Sequence, residues 1–401
     1  MCQPQEFFSS MRYPAFPFKR CVPQAGSLAA VLILLLSGQE GFAGNTNIKM
    51  RFSETGVWNT NPVMLSRNEK SIYGSETTAA LTLIDEMPCT RINASVSATR
   101  NQFNRSDFNS TDFHGNTGLV WHSARWETAL TGKIDYDTTR TSELTTLGQN
   151  IGSVRHMSYS LLPRISYNTS QRSKIEIAGS WLESKYEDSF LSDYRTLSVI
   201  PSFVYSITPR QQAILSIQAQ RYQSLENTDL HIDSIGPSIG WNASLTQNLS
   251  AELSAGALGS KFYGYATSKR GVDWNPVFSG VLSYKKEQNA AKVSATRYRQ
   301  PYSNGSEASL TKFSAEGTYS FNPKLSLTLD TNYQLADQPP LSTNNLDTTW
   351  GGGGALSYKI TKQLDITASY RYRKETLSGS REDAEQNIVR IGLSYRPDFG
   401  R

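Results

Sequence analysis

Residues 325–333 read Leu325-Ser-Leu-Thr-Leu-Asp-Thr-Asn-Tyr333 and alternate strictly between apolar and polar side chains. Because successive side chains of a β-strand point to opposite faces, the leucines and Tyr333 share one face and the polar side chains share the other. The same alternation appears in residues 92–99, 364–371 and 389–396. No segment longer than a dozen residues after residue 45 has a helical apolar period. The chain is therefore predicted to be all-β, with one apolar face on each strand.

Composition and charge exclude several other classes of protein. The 401 residues have a mean hydropathy of -0.45, which is too polar for a bundle of transmembrane helices. An aromatic content of 11% is too high for a chain that never buries surface. The formal net charge of +5 is small and contains no basic run, so no nucleic-acid partner is expected.

The amino-terminal segment has the pattern of a secretory signal. Lys19 and Arg20 precede the apolar run at residues 28–36, which is too short to span a bilayer as a helix. Small residues follow, and we expect cleavage after Ala43, with residues 1–43 as the signal peptide and residues 44–401 as the exported domain. Translation from Met11 would leave the same mature chain, whose single remaining cysteine, Cys89, rules out an internal disulfide.

Short turns that open with an aromatic residue recur with a period of about 38 residues, which matches one hairpin and its connections. Six of these turns begin at Tyr167, Tyr205, Trp241, Tyr284, Tyr319 and Tyr358, and two less regular ones lie at residues 86–90 and 124–125. Eight hairpins, an opening strand near residues 48–58 and a closing strand near residues 387–396 predict about eighteen strands, within a range of 16–18.

Four prolines repeat at the same place within this unit. Pro163, Pro201, Pro237 and Pro276 each lie in the middle of a predicted strand, on its apolar face. Proline cannot donate a hydrogen bond to the next strand, so we expect each of them to mark a β-bulge.

The aromatic residues favour a membrane barrel over a water-soluble sandwich. In a sandwich large rings fill the middle of the strands, whereas in a membrane barrel they form girdles at both edges of the apolar band. The turn aromatics predict one girdle, and we expect the second to contain Tyr136, Trp181, Tyr222, Tyr298, Tyr333 and Tyr372. The fold prediction is a transmembrane antiparallel up-and-down β-barrel in the outer membrane, with both termini and the short turns in the periplasm. A soluble solenoid or adhesin shaft is the alternative.

Residues 390–395, Arg390-Ile-Gly-Leu-Ser-Tyr395, resemble the polar-x-Gly-x-x-aromatic signal in the last strand of bacterial outer-membrane proteins. The resemblance implies that the barrel assembly machinery is a partner, together with outer-membrane lipid. The chain departs from the pattern in carrying Pro397 and in ending Phe399-Gly-Arg401.

The repeat resembles the outer-membrane β-barrel porin family found with exopolysaccharide systems, including the PEP-CTERM-associated group. Residues 199–217, with Pro201, Tyr205 and a Thr-Pro-Arg turn before a second apolar strand, carry this likeness best, and it extends over residues 158–401. The resemblance implies a barrel used for polysaccharide export, with polysaccharide and periplasmic export proteins as partners, and it identifies no catalytic residue.

The polar face of the strands carries basic and acidic side chains in near balance. Arg371, Arg373, Arg390 and Arg396 cluster on the last two strands, and they are predicted to line the pore together with Asp330 and Asp365. We expect this strip to favour anions weakly.

Catalytic and metal sites have little support in the sequence. The four histidines lack metal-ligand spacing, so no metal and no cofactor is expected. His122 and Ser123 are adjacent and must point to opposite faces, while His231 and Asp233 share a face and are the nearest candidates for hydrolysis.

The sequence thus predicts a pore or conduit that is not an enzyme, used for exopolysaccharide export or for diffusion of small solutes. No connection is long enough to suggest the constriction loop of many general porins. An outer-membrane hydrolase with a rim active site and a closed structural barrel are the alternatives.

Overall fold

A computed structural model describes residues 45–67, 69–146, 153–188, 190–227, 229–264, 271–301, 307–337, 345–378 and 383–397. The predicted signal peptide and the last four residues lie outside this part of the chain. Within the described residues, no helix has the length and apolar character needed to cross a bilayer.

The described chain forms one closed antiparallel sheet in which sequence neighbours pair and β1 closes on β18. The eighteen strands are β1 (Asn45–Asn59), β2 (Ile72–Met87), β3 (Thr90–Phe103), β4 (Ser110–His122), β5 (Trp126–Thr138), β6 (Arg155–Asn168), β7 (Ser173–Tyr186), β8 (Tyr194–Thr208), β9 (Gln211–Ser224), β10 (His231–Ser244), β11 (Leu249–Tyr263), β12 (Asp273–Lys286), β13 (Asn289–Pro301), β14 (Glu307–Ser320), β15 (Leu325–Asp337), β16 (Asn345–Lys359), β17 (Leu364–Ser378) and β18 (Asp383–Tyr395). A 3₁₀ turn (Ser106–Phe108) and one helix, α1 (Thr139–Thr146), lie in connections. The predicted fold class and strand number are confirmed.

The two faces of the wall differ in chemistry as the alternation predicts. Large aliphatic side chains such as Ile217, Ile239 and Leu253 point outward and are at least half exposed. The inner face is polar, and its hydroxyl groups pair between neighbouring strands, as Thr318 does with Thr328. A closed sheet with an apolar exterior satisfies its backbone hydrogen bonds without water, which is the requirement for spanning a membrane. The exterior is therefore the lipid-facing surface.

All eight predicted short turns are present, with strand pairs closing at residues such as Met87 and Thr90, or Lys286 and Asn289. The six aromatic residues that open the regular turns all lie on the outward face, and Tyr205, Tyr284, Tyr319 and Tyr358 are exposed there. They form the girdle at the short-turn end of the barrel.

The predicted proline bulges are wrong. Each proline stays paired with the preceding strand, as Pro201 does with Ile177, and no register shift occurs at any of the four positions. Pairing with the following strand is interrupted beside Pro163, Pro201 and Pro237 and resumes in the same register. The missing N–H therefore removes local ladder contacts on one side without inserting a residue.

The prediction of the second girdle is also wrong for two of its six residues. Tyr222 is fully buried on the inner face, where it packs with Tyr194 and Ile232. Tyr298 packs on the inner face against Leu310. Tyr136, Trp181, Tyr333 and Tyr372 do lie on the outward face. The longer connections lie at the opposite end of the barrel from the short turns, which we call the long-loop end. There both faces of a strand extend past the lipid, so an aromatic ring can pack inside the barrel mouth as well as outside it.

A charge on the outward face should destabilise the barrel, whereas the same charge one residue away should not. Ile217 lies midway along β9 and is 50% exposed. We expect Ile217→Lys to reduce the free energy of unfolding in lipid bilayers by about 2–4 kcal/mol, because a lysine near the bilayer midplane costs that much. Ser216→Lys, on the inner face, should change it by less than about 1 kcal/mol. Urea titration of both variants in liposomes measures the difference in the free energy of unfolding. Equal losses of stability would contradict the outward orientation of Ile217 and the inward orientation of Ser216.

Cys89 provides a natural test of orientation, because it is exposed in the short turn between β2 and β3. If the short turns face the periplasm, a membrane-impermeant maleimide should leave intact cells unlabelled at Cys89 and should label the residue after the outer membrane is permeabilised. Glu226→Cys in a Cys89→Ser background is the matched control, since residue 226 lies in a connection at the other end, and it should label in intact cells. The reverse labelling pattern would show that the short turns face the outside of the cell.

Candidate functional site

Three of the predicted pore-lining residues come together on the inner wall. Arg371, Arg373 and Arg390 line a cavity of about 380 Å³ formed by β1–β4 and β15–β18, a volume within the usual range for ligand pockets of about 300–1,000 Å³. Arg396 and Asp365 lie outside this cavity, near the short-turn end, where their side chains are 3.3 Å apart. The structure thus divides the predicted strip into a cavity group and a separate ion pair.

Gly353 allows Asp330 to contact Arg371 of the cavity group although the two residues lie two strands apart. Asp330 on β15 pairs in register with Gly353 on β16, which pairs with Arg371 on β17. The Arg371 guanidinium donates a 2.8 Å hydrogen bond to the Asp330 carboxylate across the glycine. A side chain at position 353 would place its Cβ 3.4 Å from that carboxylate oxygen. The glycine therefore keeps the space that the ion pair uses.

The fourth arginine of the cavity comes from a connection. α1 follows β5 and turns inward, and Arg140 lines the same cavity as Arg373 and Arg390. The Arg140 guanidinium lies 5.3 Å from the Phe103 ring and 5.8 Å from the Phe108 ring, at distances typical of cation–π contacts. These contacts place a cation on the lumen side of the wall.

Arg140 differs from the other three arginines in lacking a carboxylate partner. Arg371 pairs with Asp330, Arg373 lies 3.4 Å from Glu375, and Arg390 lies 3.7 Å from Glu76. Among the described residues no carboxylate is within ion-pairing distance of Arg140, and its Nε is buried without a hydrogen-bond partner. Burial lowers the pKa of the Arg140 guanidinium, but a guanidinium is so strong a base that it stays charged near neutral pH. Arg140 is thus a largely buried positive charge without a direct ion-pair partner among the described residues, and the carboxylates of Glu76 and Asp112 attract it from a greater distance.

An apolar cluster inside the mouth supports this arrangement. Phe108 of the 3₁₀ turn packs against Val57, Ile72, Phe103 and Ile388, which come from β1, β2, β3 and β18. All five side chains are at most 9% exposed. Packing of this kind fixes the two rings on which the Arg140 guanidinium rests.

A second inward segment narrows the opposite side of the mouth. β13 pairs with β12 only as far as Arg297, but it pairs with β14 up to Pro301 and Glu307. The free tip leans across the barrel, since Gln220 on β9 donates a 3.1 Å hydrogen bond to Glu307 although β9 and β14 are not neighbours. Arg299 stabilises the tip through a 2.9 Å hydrogen bond to Asp273 and a contact with the Phe262 ring. We call residues 298–301 and 307–310 the inward tip.

No connection of the chain is long enough to be the constriction loop of many general porins. In the described chain two shorter segments, α1 and the inward tip, nevertheless point into the lumen. Alternation and loop length give no information on these long-range contacts. Arg140 was not among the predicted site residues. The one available signal was a basic residue in a polar connection, which is common on any surface.

The candidate hydrolytic pairs do not form. Asp233 accepts hydrogen bonds from Arg221 at 2.6 and 2.7 Å, while the His231 ring stacks on Tyr263 at 4.4 Å. His122 and Ser123 lie where β4 ends, and the Ser123 hydroxyl accepts a hydrogen bond from the Trp126 N–H. The described residues contain no group of three or more His, Cys, Asp or Glu side chains arranged to hold a metal ion.

Neither a family model nor a curated protein matches the chain. Similar solved structures include OccAB2 of Acinetobacter baumannii (11% identity, 89% of this chain and 98% of that chain covered, TM-score 0.48). Two others are OccK11 (OpdR) of Pseudomonas aeruginosa (12%, 88% and 95%, 0.45) and the outer membrane channel DcaP of A. baumannii (12%, 88% and 97%, 0.45). From its own closed sheet, even strand number and apolar exterior, the chain is an 18-stranded outer-membrane β-barrel.

Proposed function

We propose that this barrel is a narrow channel for small solutes, with a preference for anions. The observation that carries the proposal is the position of Arg140, a cation without a direct ion-pair partner among the described residues, which lines the same cavity as Arg371, Arg373 and Arg390. A solute passing between α1 and the opposite wall must pass these four guanidinium groups.

The charge balance at the cavity favours anions. The four arginines face Asp330, Glu76 and Glu375 as pairing partners, while Asp112, also on the cavity wall, is engaged by Arg155 at 2.8 Å. Water-filled pores lined with more cations than anions lower the energy of a permeating anion and raise that of a cation. The preference should be moderate, because three of the arginines are already paired.

Reversal-potential measurements in a planar bilayer test the proposal. Under a KCl gradient the wild-type channel should show a reversal potential of the sign set by chloride permeation. The anion-to-cation permeability ratio should fall toward 1 at high salt, since salt screens the electrostatic potential of the arginines. A reversal potential with the cation-selective sign would refute the anion preference, and zero conductance would favour the closed structural barrel.

Export of exopolysaccharide, with polysaccharide and periplasmic proteins as partners, stays a prediction from the family resemblance. Liposome swelling separates it from small-solute diffusion. We expect entry of monosaccharides and small organic anions, and exclusion of longer glycan chains by α1 and the inward tip. Rapid entry of long glycans would favour the export conduit instead. The barrel assembly machinery also stays a predicted partner.

A further inference from the structure

Glu54 is an acidic residue on the outward face of the barrel, within the apolar band. Glu54 on β1 has the outward parity of Phe52 and Trp58, both of which are exposed large aromatic residues. Its neighbours in register are Leu393 on β18 and Thr77 on β2, and one carboxylate oxygen accepts a hydrogen bond from the Thr77 hydroxyl. Among the described residues no basic side chain is within ion-pairing distance of Glu54. Its charge is therefore exposed to whatever covers this wall.

The depth of Glu54 makes this exposure costly. Trp58 belongs to the long-loop edge of the apolar band, and four residues of a strand tilted by about 40° place Glu54 about 10 Å below that ring. An ionisable side chain at that depth in hydrocarbon is unfavourable, and such residues in membranes usually face a protein partner or a water-filled cavity. Glu54 faces away from the lumen, so a partner on the exterior is the remaining option.

A basic residue lies on the same face, two strands away. Arg100 on β3 pairs in register with Thr77, so Glu54, Thr77 and Arg100 form one row across three strands. Arg100 is exposed, and its guanidinium donates a 2.8 Å hydrogen bond to the Thr111 hydroxyl on β4, away from Glu54. Within the described chain, this wall thus presents an acidic and a basic group two strands apart, and each forms a hydrogen bond with a threonine hydroxyl.

The small side chains around this row allow close approach of a second wall. Gly56, Ser75, Ala79 and Ala98 surround it on the outward face. The far side of the barrel carries large aliphatic residues such as Ile239 and Leu253 among its small outward residues. In lipid, where burial of apolar surface gives no net gain, small residues and polar contacts drive association.

We propose that the wall formed by β1, β2 and β3 is an interface with a second copy of this chain. A two-fold axis along the membrane normal near Thr77 would bring Glu54 of each copy to Arg100 of the other, forming two equivalent ion pairs. Their heights differ by about 6 Å for two strands at a tilt of about 40°, which the lengths of the two side chains span. Because both charges belong to one face, the self-complementary dimer fits better than a ring, which needs two different faces.

Cross-linking in native outer membranes locates the interface. In a Cys89→Ser background, Ala79→Cys should give a covalent dimer with a short bis-maleimide. Leu253→Cys, on the far wall and half the barrel away, should stay monomeric. Adding Glu54→Gln to the Ala79→Cys variant should lower the dimer fraction at least about fivefold, while heat-modifiable mobility on gels shows that the barrel is folded. Cross-linking only at the far wall, at neither wall or unchanged by Glu54→Gln would overturn the proposal.

Charge reversal tests the pairing itself. Each of Glu54→Arg and Arg100→Glu alone should lose its homodimer, because each places like charges opposite each other. Co-expressed with different tags, the two folded variants should form a mixed dimer, since each acidic position then meets a basic one. Wild-type levels of homodimer for either variant, or no recovery in the mixture, would contradict the Glu54–Arg100 contact.

Discussion

Replacing Arg140 by glutamate should turn the anion-preferring channel into a cation-preferring one. An ion about 6 Å from this side chain interacts with it by about 0.7 kcal/mol in a water-like dielectric, so the exchange changes the energy of an anion by about 1.4 kcal/mol. The anion-to-cation permeability ratio should fall at least about tenfold. The reversal potential under a KCl gradient measures this change, and its sign should invert.

A matched substitution separates Arg140 from the general charge of the lumen. Arg164 faces inward and pairs with Glu127 at 2.9 Å, but it does not line the cavity. Arg164→Glu makes the same change in charge and should shift the permeability ratio by less than about threefold, because its potential is screened in the wider part of the pore. Equal shifts for both variants would show that the α1 constriction does not control selectivity.

Removing the inward tip should enlarge the pore. Deleting residues 300–307 and joining Arg299 to Ala308 through two glycines leaves α1 and the arginine cavity in place. Single-channel conductance should rise roughly twofold, since conductance follows the open cross-section at the narrowest part. Anion preference should persist, because Arg140 is unchanged.

A milder variant gives a graded comparison. Gln220→Ala removes only the hydrogen bond from β9 to Glu307, and it should raise conductance less than the deletion while increasing current noise as the tip moves. A folded deletion variant with wild-type conductance would show that the inward tip does not limit flow.

Much of the barrel follows from two features of the sequence. Strict alternation, as in residues 325–333, fixes which side chains face lipid, and the recurring aromatic turns fix the number of hairpins. Both features are local, so they can be observed without knowing which strands are neighbours. The inward orientation of Arg371, Arg373 and Arg390 follows from the same parity.

The errors arise where local pattern stops controlling the structure. The sequence around Pro201 would look the same whether the proline forms a β-bulge or only interrupts hydrogen bonding to one neighbouring strand. The outcome depends on the strand with which Pro201 pairs, and that strand is not visible in the local pattern. Tyr222 has a position along its strand that suits a girdle, but it packs inward with Tyr194 beyond the lipid. The path of α1 depends on Arg140 meeting Phe103 and Phe108, residues more than thirty positions earlier.

Tryptophan fluorescence tests most directly whether the apolar faces of the strands contact acyl chains. All seven tryptophans lie on the outward face, and Trp58, Trp121, Trp126, Trp274 and Trp350 are at least 42% exposed there. In liposomes, lipids with brominated acyl chains should quench most of the tryptophan emission, whereas aqueous iodide should quench little of it. Strong quenching by iodide with none by brominated lipid would place these rings in water and would contradict the membrane barrel.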